Sequence, residues 1–236
     1  MKQTRGIRPR AAKRAWAGVL LAACGLSLAA APAEVEIAVV GLEDGRARPL
    51  ADAVVSLHRA GAPPPAGGRA VLDQRDSTFV PGVLPVAAGT RVSFPNSDNT
   101  LHHVYSFSPA KRFELPLYSG RQAEPVLFDT PGVVVLGCNI HDWMVAHVVV
   151  LDTPHFGRTD QAGRVRLQAP PGDYRLRVWH ARQGDRVEQA LQLPAAGTRR
   201  QVRIALQPPV PNARPGASRL LEMQERLRRV RGDGTR

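Results

Sequence analysis

Gly137-Cys138-Asn139-Ile140-His141-Asp142-Trp143-Met144 is the stretch on which the reading of this chain turns. It sets a thiol, an imidazole and a thioether at three-residue intervals, close enough to share one tight loop. Soft sulfur donors beside imidazole select copper over magnesium, calcium or manganese, and a thioether forms a weak, long bond that tunes redox potential. One further imidazole would complete a blue-copper ligand set, and His102 or His103 offers it. Taken singly, Cys138 reads as a small buried hydrophobe, Met144 as core filling and His102 as a surface or satisfied core histidine. Their joint spacing makes the metal reading the stronger one, and the chemistry it implies is electron transfer rather than bond making.

Outward from this loop the pattern is β throughout. Short apolar runs at 35–40, 53–57, 91–94, 133–136 and 145–151 are punctuated by Asp44-Gly45, Ala88-Gly89, Pro131-Gly132 and Pro171-Gly172. Such spacing of short strands and Gly/Pro turns argues for an all-β fold of sandwiches or barrels. No helical period competes before residue 217. The Pro/Gly-rich stretch 61–68 and Asp152-Thr153-Pro154 read as linkers, enclosing a unit long enough for its own core.

That unit resembles a known family. The run Phe79-Val80-Pro81-Gly82-Val83-Leu84-Pro85-Val86-Ala87-Ala88-Gly89-Thr90-Arg91-Val92-Ser93-Phe94-Pro95-Asn96, then His102-His103-Val104, then Gly132-Val133-Val134-Val135-Leu136-Gly137-Cys138, is similar to the cupredoxins. Two residues between Cys138 and His141 and two between His141 and Met144 is the ligand-loop spacing of the amicyanins. The resemblance covers residues 69–151 and implies a cupredoxin Greek-key β-sandwich holding one type 1 copper ion. Cys138, His102 and His141 would form its trigonal plane and Met144 its axial ligand. In that family the upstream histidine is followed by Asn and a β-branched residue. His102 therefore aligns as the ligand, with His103 in the Asn position and Val104 beyond, a departure that leaves bonding around the thiolate open. Neighbouring residues of a strand point to opposite faces, so one of the two histidines alone can enter the site.

The flanks resemble a second fold. Residues 39–57, with Asp44-Gly45 and Pro49-Leu50-Ala51-Asp52-Ala53, and residues 158–178, with Arg158-Thr159-Asp160-Gln161-Ala162-Gly163 and Pro171-Gly172-Asp173-Tyr174, are similar to the two parts of a small carboxypeptidase regulatory-like (transthyretin-like) β-sandwich. The expected organisation is a cupredoxin domain at 69–151 inserted into a sandwich split between 35–60 and 153–207, which loop tips tolerate. Simple succession of two domains is the alternative.

The ends carry most of the charge. Lys2, Arg5, Arg8, Arg10, Lys13 and Arg14 precede the apolar run 15–31 and Ala31-Pro32-Ala33, which reads as a secretory signal peptide over residues 1–33. Leu21-Ala22-Ala23-Cys24 also resembles a lipobox, so lipoprotein anchoring at Cys24 stays open. Either route implies a periplasmic protein with Cys138 as its one free thiol, for which metal ligation is a physical reason. Without those six charges the formal +12 becomes +6, and the basic tail 212–236 supplies +4 of that. The body lacks the clustered Lys/Arg interleaved with aromatics that nucleic acid requires. In the tail Leu220, Met223 and Leu227 fall on one face of a short basic helix, which reads first as a solvated helix docked on its own protein, with a membrane surface or a partner groove as the alternatives.

These readings imply a periplasmic carrier of single electrons, not an enzyme, working with a redox partner protein such as a dehydrogenase or cytochrome. Amicyanins accept electrons from methylamine dehydrogenase, so the resemblance admits a methylamine-oxidation context. The alternatives are copper binding and delivery without redox turnover, and an envelope interaction protein. A loop with a single cysteine excludes a binuclear copper centre, which needs two bridging thiolates.

Overall fold

The computed structural model describes residues 31–120, 124–183 and 187–209, and every regular element among them is a strand. The signal segment and the basic helix expected from sequence lie outside the described residues, apart from the last residues of the former. Three strands come first: β1 (Ala33–Glu43), β2 (Arg46–Pro49) and β3 (Val54–His58). Ten follow: β4 (Arg69–Val71), β5 (Asp73–Arg75), β6 (Thr78–Val80), β7 (Val83–Ala87), β8 (Thr90–Ser93), β9 (His102–Ser108), β10 (Lys111–Tyr118), β11 (Val126–Phe128), β12 (Gly132–Cys138) and β13 (His141–Leu151). Five complete the described chain: β14 (Phe156–Arg158), β15 (Arg164–Ala169), β16 (Gly172–Trp179), β17 (Val187–Leu193) and β18 (Thr198–Ala205).

Alternation of apolar and polar residues sorts these strands into stacked sheets. A five-stranded sheet, β10-β9-β12-β13-β7, faces a three-stranded one, β11-β8-β4. Between them lies a core that includes Val92, Phe94, Val104, Phe128, Val134, Leu136, Cys138, Met144 and Val148. A second core, with Val35, Ile37, Val39, Val55, Leu57, Leu167, Leu176, Leu191 and Ile204, is built by segments from both sides of the first. Its sheets are β15-β1-β18, with β2 on β1, and β14-β3-β16-β17.

Strand β13 explains how the two units meet. Ala146, Val148 and Val150 point into the first core, whereas Val149 and Leu151 on the opposite face join Val54 and Val83 in a smaller cluster flanked by Phe156 and Trp179. Doubly buried strands read as continuous apolar runs, which is why 148–151 is Val-Val-Val-Leu. The order of layers is therefore three-stranded sheet, five-stranded sheet, β14-β3-β16-β17 and β15-β1-β18.

The crossings between units are tied by hydrogen bonds. Thr153 is buried, and its hydroxyl donates to the Leu57 carbonyl at 2.6 Å. Residues 152–154, expected as a linker, are thus a fixed crossing, because the carbonyl at the end of β3 takes its donor there. Thr159 donates to the Leu50 carbonyl at 2.7 Å and accepts from the Ala53 N–H at 2.9 Å. Gly163 has φ +71°, and a Cβ there would lie 2.5 Å from the Val39 carbonyl oxygen, so this turn demands glycine.

Candidate metal centre

The quoted loop is the end of a β-hairpin. Cys138 is the last residue of β12 and His141 the first of β13; the two are cross-strand partners, with a register shift between Gly137 and Cys138. Asn139 and Ile140 make the turn. The shift lets Cys138 keep facing the core, where it is 3% exposed. Beside it, a Cβ on Gly137 would stand 2.9 Å from the Tyr105 hydroxyl, so a larger residue there would push the Tyr105 ring aside.

His102 opens β9 and is completely buried. Its Nδ1 lies 3.1 Å from Nδ1 of His141, which in turn lies 3.7 Å from Cys138 Sγ. One donor atom from each of His102, Cys138 and His141 falls within 4.8 Å of the others. Met144, three residues along β13, is 1% exposed in the same core as Cys138. His103 points to the other face of β9, where its Nε2 meets Glu114 at 2.9 Å, as strand alternation requires.

The loop before β9 supplies a residue that sequence reasoning passed over. Asp98 Oδ2 accepts from His102 Nε2 at 2.7 Å and from the Ser77 N–H at 2.9 Å, while its Oδ1 accepts from the Asp76 N–H at 2.7 Å. Burial pushes the Asp98 carboxyl up, but hydrogen bonds from Ser77, His102 and Asp76 outweigh it and hold it below its usual range. With the proton of His102 committed to Nε2, its Nδ1 presents a lone pair to His141 and Cys138. Asn96 holds this loop: its Nδ2 donates to the carbonyls of Thr100 and Tyr118, each at 2.8 Å, and its Oδ1 accepts from the Asp98 N–H at 3.0 Å. The available signal was an acidic residue four positions before a candidate ligand.

Trp143 is half-buried. Its indole N–H donates to the Ser77 carbonyl at 3.1 Å, and its ring centroid is 5.0 Å from that of His141. It braces the outer side of His141 while tying β13 to the β5–β6 turn. The other histidines lie elsewhere: His58 pairs with Asp152 at 2.9 Å, and His147 stacks near Trp179 with centroids 5.3 Å apart.

The donor set fits a single thiophilic ion. Two imidazole nitrogens facing each other at 3.1 Å leave room for one ion at about 2.0–2.1 Å from each. A thiolate and two imidazoles with a buried thioether nearby is a copper-selective combination.

The chain matches no family model and no curated protein. Among solved structures it is similar to a copper-containing nitrite reductase (NirK) from Thermus scotoductus SA-01, at 23% identity and TM-score 0.34 over 36% of this chain and 23% of that one. The matched part thus spans about a quarter of the reductase. It is similar to a purple cupredoxin from Nitrosopumilus maritimus at 23% identity and TM-score 0.32, covering 35% of this chain and 99% of that one. A mutant amicyanin in its Cu(I) form aligns at 24% identity and TM-score 0.32, covering 36% of this chain and 83% of that one. The solved structures this all-β chain resembles are cupredoxins.

Proposed function

We propose that this protein is a periplasmic type 1 copper protein that carries single electrons between redox partners. The observation that carries the reading is the convergence of His102 Nδ1, His141 Nδ1 and Cys138 Sγ at the end of a sandwich, with Met144 buried alongside. Residues His102, Cys138, His141 and Met144 would hold the ion. Copper bound there would supply a one-electron couple.

The chain's own part is to hold the donors still. Cys138 and His141 are fixed by one hairpin, and His102 is fixed by Asp98, which the β5–β6 turn anchors. Donors on strands rather than mobile loops change position little when charge at the site changes, and low reorganisation favours fast transfer. His141 is the partly exposed member of the triad, with Ile140 and Leu101 exposed beside this end of the sandwich. A redox partner, a dehydrogenase or a cytochrome, would approach there, and a methylamine-oxidation setting suits the amicyanin-like loop. With four side chains committed to the ion, the site offers no position for a substrate, so the reading is a carrier and not an enzyme.

The test is to load the purified exported protein with Cu(II) and record visible and paramagnetic resonance spectra of the parent, His102→Ala, His103→Ala and Cys138→Ala. An intense thiolate-to-copper band lost in the first and third variants and kept in His103→Ala supports the carrier. A colourless Cu(II)-treated protein that retains Cu(I) would replace it with copper binding and delivery.

A further inference from the structure

The last layer of the stack, β15-β1-β18, turns its outer face away from the metal-bearing unit. Three distant segments meet there in a register that collects arginines. Glu36 of β1 is paired with Arg166 of β15 and Arg199 of β18, and Ala38 is paired with Arg164 and Gln201. Arg203 lies beside Val40. Because Ala38 is small and its neighbours are long, the surface dips into a shallow groove of ≈ 400 Å³ between Arg164, Arg166, Arg199 and Arg200.

The arginines outnumber their partners. Glu36 binds Arg166 at 3.0 Å and approaches Arg199 at 3.8 Å. Arg164, Arg200 and Arg203 have no ion pair among the described residues. The excess is a property of the unit: segments 33–60 and 153–209 hold 13 Arg against nine Asp and Glu, whereas residues 61–152 hold six Lys and Arg against eight Asp and Glu. The chain is thus polarised, acidic around the metal centre and basic at the far layer.

We propose that this arginine face docks the protein on an anionic membrane surface, its guanidinium groups taking lipid phosphates. Strands about 4.8 Å apart spread the charges over a broad surface, which matches a plane of headgroups. No aromatic side chain lines the groove, so it lacks the buried aromatic anchors that dominate protein–protein hot spots. Docking at this layer keeps the metal-bearing unit on the side of the stack away from the bilayer. The proposal does not depend on the metal reading.

The test is co-sedimentation of the full-length exported protein with vesicles of phosphatidylglycerol and phosphatidylcholine, against vesicles of phosphatidylcholine alone. Arg164 and Arg203 are exposed and break no ion pair when changed, so Arg164→Glu/Arg203→Glu is the main variant and Arg164→Gln/Arg203→Gln a milder one. Arg91→Glu, exposed on the metal-bearing unit, is the control. Each basic residue near an anionic surface contributes about fivefold in binding, so the double Gln variant should lose about 25-fold and the double Glu variant more. Binding should be confined to anionic vesicles, weaken with salt, and stay near the parent level in Arg91→Glu. Equal binding by parent and double variants would overturn the proposal by moving the attraction to the termini. Equal loss in Arg91→Glu would reduce it to net charge, and capture by polyglutamate but not by vesicles would replace the membrane with an acidic protein.

Discussion

Replacing Asp98 by Asn separates what the fold needs from what the metal centre needs. The carboxylate accepts three hydrogen bonds, two from the successive N–H groups of Asp76 and Ser77 and one from His102 Nε2. An asparagine of the same shape offers one accepting oxygen. Its better orientation keeps that oxygen on Ser77 and His102 and turns the NH2 group onto the Asp76 N–H, setting donor against donor. Loss of a bond to this partly exposed charged acceptor costs at most about 1–3 kcal/mol, which denaturant titration of the metal-free protein should register. The imidazole also loses its charged partner, and substitutions of this kind weaken metal binding by about 10–100-fold, equivalent to about 1.4–2.8 kcal/mol. Chelator competition for copper measures that loss, with Glu114→Gln at His103 as the control expected to leave affinity unchanged. Copper affinity within about twofold of the parent, alongside the full loss of stability, would refute the reasoning and leave Asp98 as a brace of the β5–β6 turn alone.

Other substitutions probe separate parts of the molecule. Met144→Leu conserves volume and should cost less than about 1.5 kcal/mol, whereas Met144→Ala should cost about 2–5 kcal/mol; voltammetry of the copper-loaded Leu variant should show a shifted potential at nearly parental stability. Tyr118 donates to the Phe94 carbonyl at 2.6 Å and accepts from Gln74 Nε2 at 2.6 Å, and burial above all pushes its pKa to about 12. A raised folded-state pKa means the contribution is complete below the unfolded tyrosine's pKa near 10 and is lost as pH climbs toward 12. Denaturation midpoints should therefore fall across that alkaline window, and less steeply in Tyr118→Phe. Gly163→Ala forces alanine into a left-handed backbone and a Cβ against the Val39 carbonyl, so the unfolding free energy from urea titration should drop by more than the about 1–2 kcal/mol that the backbone alone costs.

The metal hairpin was legible because its donors are close in sequence. Spacing alone brought Cys138, His141 and Met144 into one loop, and strand alternation settled that His102 and His103 could not share a face. The run at 133–136 proved to be the middle of β12 and that at 145–151 the latter part of β13, and the ligands lie where the register shifts after Gly137 and Cys138 pairs with His141. Asp98 was not legible, since its importance comes from meeting the Asp76 and Ser77 amides, 22 and 21 residues away. The arginine face was hidden for the same reason. Arg164-Val165-Arg166-Leu167 shows alternation, but nothing local says that Glu36 will lie between Arg166 and Arg199. Long-range register, not propensity, was the missing information.

The pairing of β1 with β18 fixes an order of assembly. The first described strand lies parallel to the last, and Thr159 clasps Leu50 and Ala53 across more than a hundred residues. The outer sandwich therefore cannot close during synthesis until its final strand has emerged, while the metal-bearing unit is continuous and can collapse earlier. Once folded, that unit holds His58 and Thr153 near each other and replaces a long floppy loop by a short rigid one, removing most of the closure entropy. A lesion in the metal-bearing core should then leave β1 waiting as an unpaired edge, so damage near Leu136 or Phe94 would surface as aggregation through a strand in the other sandwich.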